Sequence, residues 1–134
     1  MKVSTMYEGN LRCCTKNQNG DPIVTDVDKS HGGSGVAYSP VDMLVVSLTS
    51  CILSVMALIA WQQGVGIKGA KLEADYEMVE KPVHRIGKIS LNLSLPAGIP
   101  QEKRAILEKA IKMCPVHNSL SHEIGYDVKV TYAG

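Results

Sequence analysis

The chain has 134 residues, 45% of them hydrophobic, and fourteen Lys and Arg stand against thirteen Asp and Glu for a formal charge of +1. That size and apolar content suit one domain, residues 1–134, with its own core, and basic residues scattered without a block exclude a surface that tracks a phosphate backbone, so no nucleic acid partner is expected. The opening MKVSTMYEGNLRCC contains no apolar run of the kind a secretory leader needs, and a cytoplasmic address is expected.

Short β-prone runs come first: VSTMY, LRCCTKN and PIVTDV, separated by EGN and NGD. Two or three antiparallel strands are expected before residue 30, with Asn19-Gly20-Asp21 as the clearest hairpin signal. Cys13 and Cys14 are neighbours on one of these strands, so their side chains should point to opposite faces, one buried and one exposed. The next stretch, KSHGGSGVAYSP, is read as loop, because three glycines within four positions cannot hold a regular element and Pro40 ends it.

From Pro40 to Gln63 the sequence reads as a long helix, with Ser39 at the N-cap, Pro40 at N1 and Asp42 in the first turn, where negative charge suits the helix dipole. No charge occurs between Met43 and Trp61. At about 1.5 Å per residue the helix would be roughly 36 Å long, the length of a membrane span. The amphipathic strands around it need a water-excluding core, however, and Ser47, Ser50 and Ser54 recur with Cys51 as one small, weakly polar stripe. A central buried helix with no membrane contact is therefore expected. A helix apolar nearly all round must be covered on every side, and the strands available form one sheet that covers only part of it. A second copy of the chain is expected to cover the rest, giving a homodimer with the two long helices buried together.

Beyond Gly64-Val65-Gly66 the period changes to two. IKGAKLEADYEMV and IGKISLNLSL read as half-buried strands, the second with Ile89, Leu91, Leu93 and Leu95 alternating cleanly with polar residues. EKPVHR between them reads as a hairpin loop with His84 and Arg85 in solvent. After Pro96–Pro100, QEKRAILEKAIKM returns to helical spacing, with Ala105, Ile106, Lys109, Ala110 and Met113 sharing a side. Pro115 cannot sit inside a helix but can start one, so Cys114 is expected as the N-cap of a short helix to about Leu120, followed by a last strand, YDVKVTY.

Four cysteines, Cys13, Cys14, Cys51 and Cys114, are not expected to form a disulfide framework in a reducing compartment. The first N–H groups of the short helix should point at the Cys114 sulfur, and helix N-termini favour a thiolate. Cys114 is thus either a reactive thiol or a buried inert one. His117, three residues on, forms only a lone CxxH; zinc would need two more ligands from Cys13, Cys14, Cys51 or His122, none at a diagnostic spacing, so no metal is expected.

Two segments, SPVDMLVVSLTSC with its proline eleven residues before the cysteine and CPVHNSL some sixty residues later, resemble the OsmC/Ohr family of osmotically inducible and organic hydroperoxide resistance proteins. The glycine-rich loop before Pro40 fits as well, and the resemblance runs through nearly the whole chain. It implies an α+β fold of intertwined homodimers: N-terminal antiparallel strands, a long central helix, two further strands, a helix with a short Cys-Pro helix, and a final strand. It also implies that Cys51 attacks the O–O bond of an organic hydroperoxide and that Cys114 resolves the sulfenic acid as a disulfide. Arg12 stands where the family's thiolate-holding arginine is expected, in Gly9-Asn10-Leu11-Arg12 instead of the usual Gly-Arg. The hydroperoxide resistance branch places a glutamate directly after the proline; here that position is Val41, and the acid follows as Asp42, a rotation of about 100° on a helix. These departures are closer to a less characterised OsmC-like branch.

The implied function is a thiol-dependent peroxidase for organic hydroperoxides. It would need no bound cofactor, because sulfur itself cycles through thiolate, sulfenic acid and disulfide, and its partner would be a dithiol reductant, such as a lipoyl group. His117 could tune or shield Cys114. Two other classes stand beside this reading: a small-molecule or lipid-binding module in which the thiols are incidental, and a structural metal protein using Cys114, His117 and other thiols.

Overall fold

In the computed structural model, which describes residues 1–133, the chain first reverses at Gly9, Asn10 and Leu11, whose φ angles are 90°, 56° and 61°. Strand β1 (Ser4–Gly9) thereby folds back on β2 (Arg12–Lys16), with Gly9 opposite Arg12. Positive φ at both central positions matches the twist of a tight hairpin; Asn adopts it readily and Leu does not. The Leu11 N–H donates to the Tyr7 hydroxyl at 3.3 Å. Asn17 builds the next reversal, its Oδ1 accepting from the N–H groups of Asn19 and Asp21 at 2.9 and 3.0 Å, and β3 (Pro22–Thr25) follows antiparallel to β2.

A 3₁₀ turn at Lys29–His31 lies in the glycine-rich loop that precedes α1 (Pro40–Gln62). The helix starts as its sequence indicates. Ser39 Oγ accepts from the Asp42 N–H at 3.0 Å while Asp42 Oδ2 accepts from the Ser39 N–H at 3.1 Å, a reciprocal cap. Val45, Leu48, Ile52, Met56, Ile59 and Ala60 form the buried stripe, mostly three or four residues apart. The helix is long and apolar enough to cross a membrane, and a third of its most apolar window, 33%, is buried within the chain.

The chain divides into two compact units, Met1–Leu44 and Val45–Gly134. In the second, β4 (Lys71–Val79), β5 (Arg85–Leu95) and β6 (Gly125–Tyr132) form a sheet with β5 in the middle, antiparallel to β4 and parallel to β6. Ile86, Ile89, Leu91, Leu93 and Leu95 of β5 are buried. Leu93 and Leu95 join Met56, Ile59 and Ala60 of α1 in a core with Ile67, Ile99, Leu107 and Ala110. Burying each large aliphatic side chain contributes about 1.5–3 kcal/mol, so this cluster is what fixes the helix against the sheet. Tyr132 ties the edge: its hydroxyl donates to Glu108 Oε2 at 2.6 Å, and the Arg104 guanidinium lies 4.1 Å from the centre of its ring.

Several expectations are corrected. The six strands form two three-stranded sheets, not one. The helix after Pro100 is broken at Lys109 into α2 (Gln101–Glu108) and α3 (Ala110–Met113). Its inward positions are Leu107, Ala110 and Cys114, while Ala105 is exposed and Met113 is 57% exposed; the large Leu107 sets the phase that small Ala105 could not. Arg85 is half-buried, donating from one guanidinium nitrogen to the Ile86 carbonyl at 3.0 Å and lying 3.7 Å from Glu123. Cys13 and Cys14 are both half-buried, because none of the described residues of β1, β2 and β3 is buried and that sheet has no closed face.

Candidate active site

Two cysteines far apart in sequence meet in the second unit. Cys51 is half-buried on α1, directly before the fully buried Ile52. Cys114 is the N-cap of α4 (Pro115–Ser119), in extended backbone at φ −68° and ψ 121°, with Pro115 at N1. Its sulfur accepts from the His117 N–H at 3.4 Å, and none of its surface is exposed. Both are free thiols, near enough that Cys51 acts on the protonation of Cys114.

The cap geometry of Cys114 is as expected, and of the two readings left open for it, burial prevails over the helix N-terminus. Burial pushes the Cys114 thiol above its ordinary value, and the neighbouring Cys51 thiol pushes it further; the His117 and Val116 N–H groups pull it down without prevailing. Desolvation outweighs two weak donors at a short helix end. The arrangement separates the thiols by burial: Cys51 is half-buried, while Cys114 is held neutral with no exposed surface.

Next to Cys114 stands a group that the sequence did not single out. The ring of Tyr126, in β6, leans on the His117 ring at 4.9 Å with a 46° tilt. Its hydroxyl is buried and has no hydrogen-bond partner among the described residues, an arrangement that costs about 1–3 kcal/mol. Burial first, and negative charge on Cys114 second, push the Tyr126 pKa up, so the hydroxyl keeps its proton. His117 is half-buried, not a solvated helix residue. Nothing in the sequence distinguishes Tyr126 from the other tyrosines; its position follows from the pairing of β6 with β5.

Arg12 and Asp42 lie in the first unit, each with its own partners. Arg12 opens β2, and its guanidinium lies 3.6 Å from Asp26 Oδ2. Asp26 is 1% exposed and accepts from the N–H groups of Val27 at 2.8 Å and Val36 at 3.2 Å. Burial pushes its carboxyl up, but the N–H groups of Val36, Val27 and Ser34 and the Arg12 charge outweigh burial and hold it below the ordinary value. The loop must pass close by: a Cβ at Gly33 would run into the Val27 carbonyl. Asp26 is thus an acidic partner of Arg12 that the sequence reading missed. Its only signal was an acid just ahead of a glycine-rich loop. Asp42, the acid one residue beyond the family's glutamate position, forms the cap with Ser39 described above.

Among the described residues, no group of three or more His, Cys, Asp or Glu is placed to hold a metal ion. An open apolar cleft of about 520 Å³ lies along α1, lined by Leu53, Ser54, Ala57, Trp61, Val65 and Ile67 among others. It begins within one turn of Cys51 along the helix.

Residues 31–129 match the family profile described as OsmC-like protein. Among solved structures, the chain is similar to a suspected osmotic-stress-induced and detoxification response protein from Psychrobacter arcticus, at 26% identity and a TM-score of 0.90, over 98% of this chain and 96% of that one. It is also similar to the organic hydroperoxide resistance protein OsmC of Legionella pneumophila, at 16% identity and a TM-score of 0.77, over 97% and 95% of the two chains. An organic hydroperoxide resistance protein from Elizabethkingia anophelis aligns at 19% identity and a TM-score of 0.75, over 99% and 97%. At those last two identities the likeness is one of fold. No curated protein matches the chain in sequence.

Proposed function

The chain belongs to the OsmC-like protein family, and on that premise we propose that it is a thiol-dependent peroxidase that reduces organic hydroperoxides through Cys51 and Cys114. The observation that carries the proposal is the pair of neighbouring free thiols, Cys51 half-buried and Cys114 fully buried. In the first step the Cys51 thiolate attacks the outer oxygen of R–O–OH; the O–O bond breaks, Cys51 becomes a sulfenic acid, and RO⁻ takes a proton to leave as the alcohol. In the second, the Cys114 sulfur attacks the Cys51 sulfur, the S–O bond breaks, and the departing hydroxyl takes the Cys114 proton and leaves as water. A dithiol then reduces the disulfide by exchange.

Arg12 is proposed as the cation that favours the Cys51 thiolate, positioned by Asp26, with Asp42 as a further acidic member of the site. Organic peroxides are favoured over hydrogen peroxide because the open sulfur sits on an apolar helix near an apolar cleft. The working form is proposed to be a homodimer in the cytoplasm. Leu58 and Trp61 of α1 are 61% and 78% exposed in one chain, and a second copy of the same helix would cover them.

The test is consumption of cumene hydroperoxide against hydrogen peroxide by wild type and Cys51→Ser, with dithiothreitol or dihydrolipoamide as reductant. Faster turnover of the organic peroxide, abolished in the variant, together with a Cys51–Cys114 disulfide by mass spectrometry, is the expected result. No turnover and no disulfide would remove the peroxidase reading. The apolar cleft favours the second one, an apolar-ligand module: a Cys51→Ser/Cys114→Ser variant that binds a fatty acid as wild type does would support it.

A further inference from the structure

Resolution of a sulfenic acid needs the second sulfur to carry negative charge, yet Cys114 is buried where charge is disfavoured. Four groups are placed about it: Cys51 from α1, the Val116 and His117 N–H groups from its own short helix, and Tyr126 from β6, whose ring rests on that of His117. The first is consumed as a partner once Cys51 is oxidised, and the two N–H groups are neutral donors already turned to the sulfur. Of these groups it is the Tyr126 hydroxyl that is buried, protonated and without a hydrogen-bond partner among the described residues.

We propose that the Tyr126 hydroxyl is the hydrogen-bond donor that closes on the Cys114 sulfur as it becomes a thiolate, making Tyr126 a positioning residue for the resolving step. The inference rests on the two-cysteine reading. The tyrosine keeps its own proton throughout. Cys114 gives its proton to the hydroxyl leaving Cys51, the S–S bond forms as the S–O bond breaks, and water departs. A phenol held against His117, as the ring contact holds it, donates without ordering a mobile side chain, and hydrogen bonds to ionised acceptors are roughly twice as strong as neutral ones.

The experiment has two parts. In Cys51→Ser protein labelled at cysteine Cβ, the Cys114 resonance is titrated by NMR with and without Tyr126→Phe, which keeps the ring and removes only the hydroxyl. The expected result is a Cys114 midpoint about one unit higher in the Phe variant, a tenfold smaller thiolate fraction at neutral pH. In protein with both cysteines, Tyr126→Phe should slow formation of the Cys51–Cys114 disulfide about tenfold after one equivalent of cumene hydroperoxide, and dimedone should trap more Cys51 sulfenic acid. A purely structural tyrosine would not move the midpoint. Superimposable titrations, or a lower midpoint in the variant, would overturn the inference. A raised midpoint in a protein whose wild type forms no disulfide with peroxide would overturn the peroxidase reading and leave the link between Tyr126 and Cys114 standing.

Discussion

The two sheets have the same number of strands and opposite relations to water. In β4-β5-β6 the middle strand buries five large aliphatic residues, and two of them, Leu93 and Leu95, share a core with α1. In β1-β2-β3 no described residue is buried, and Met6, Tyr7, Ile23 and Val24 are all exposed apolar groups. The second sheet carries its own core; the first is held by turn chemistry and by the Arg12–Asp26 pair. Apolar strands with no closed face teach that a single chain is an incomplete account of the first unit, which agrees with the proposed homodimer.

The sharpest way to break this comparison is to truncate an aliphatic side chain in each sheet. Leu93→Ala, at a position with no exposed surface, should cost about 2–5 kcal/mol of stability in urea denaturation. Val24→Ala, at a position 42% exposed, should change stability by no more than about 0.5 kcal/mol at concentrations where the chain is monomeric; equal losses would mean that the first sheet is covered after all. A second effect tests what covers α1. Trp61→Glu should weaken self-association by about 2 kcal/mol or more, as for a buried aromatic anchor, read by analytical ultracentrifugation, and should leave the fold of each copy intact.

How much of this was legible depends on where each signal resides. The start of α1 was, because Ser39, Pro40 and Asp42 act through neighbouring backbone groups. So was β5, whose alternation of Ile and Leu with polar residues fixes which face is buried, and so was the Cys114 cap, a local consequence of Pro115. The break at Lys109 and the outward Met113 were not, since Ala, Lys and Met sit comfortably on either side of a helix. The choice between a reactive and a buried Cys114 stayed open, because it depends on how the surrounding elements enclose the sulfur. Asp26 and Tyr126 escaped for a similar reason: one gains its role from a loop closing over it, the other from a strand pairing across the chain.

Smaller effects separate the devices that hold each unit. Tyr132→Phe removes the 2.6 Å bond to Glu108 and should cost about 0.5–1.5 kcal/mol in the second unit. In the first, Asp26→Asn should show its effect as a pH dependence. The Asp26 pKa is lowered from 3.8 in the folded chain, so its contribution is fully present above 3.8 and fades as pH falls through the lower folded value. The stability gap between wild type and Asp26→Asn should therefore be constant near neutral pH and narrow in acid, measured by urea denaturation at each pH.

The parallel pairing of β6 with β5 also fixes the order of events during synthesis. Leu95 pairs with Tyr132, so α2, α3 and α4 must all have been translated before the last strand can join the sheet, while β4 and β5 can form their hairpin as soon as they leave the ribosome. Contacts so distant along the chain form late. Tyr126 travels with that strand, so the surroundings of Cys114 are completed only once β6 has emerged. A nascent chain could carry both cysteines and still lack the enclosed pair.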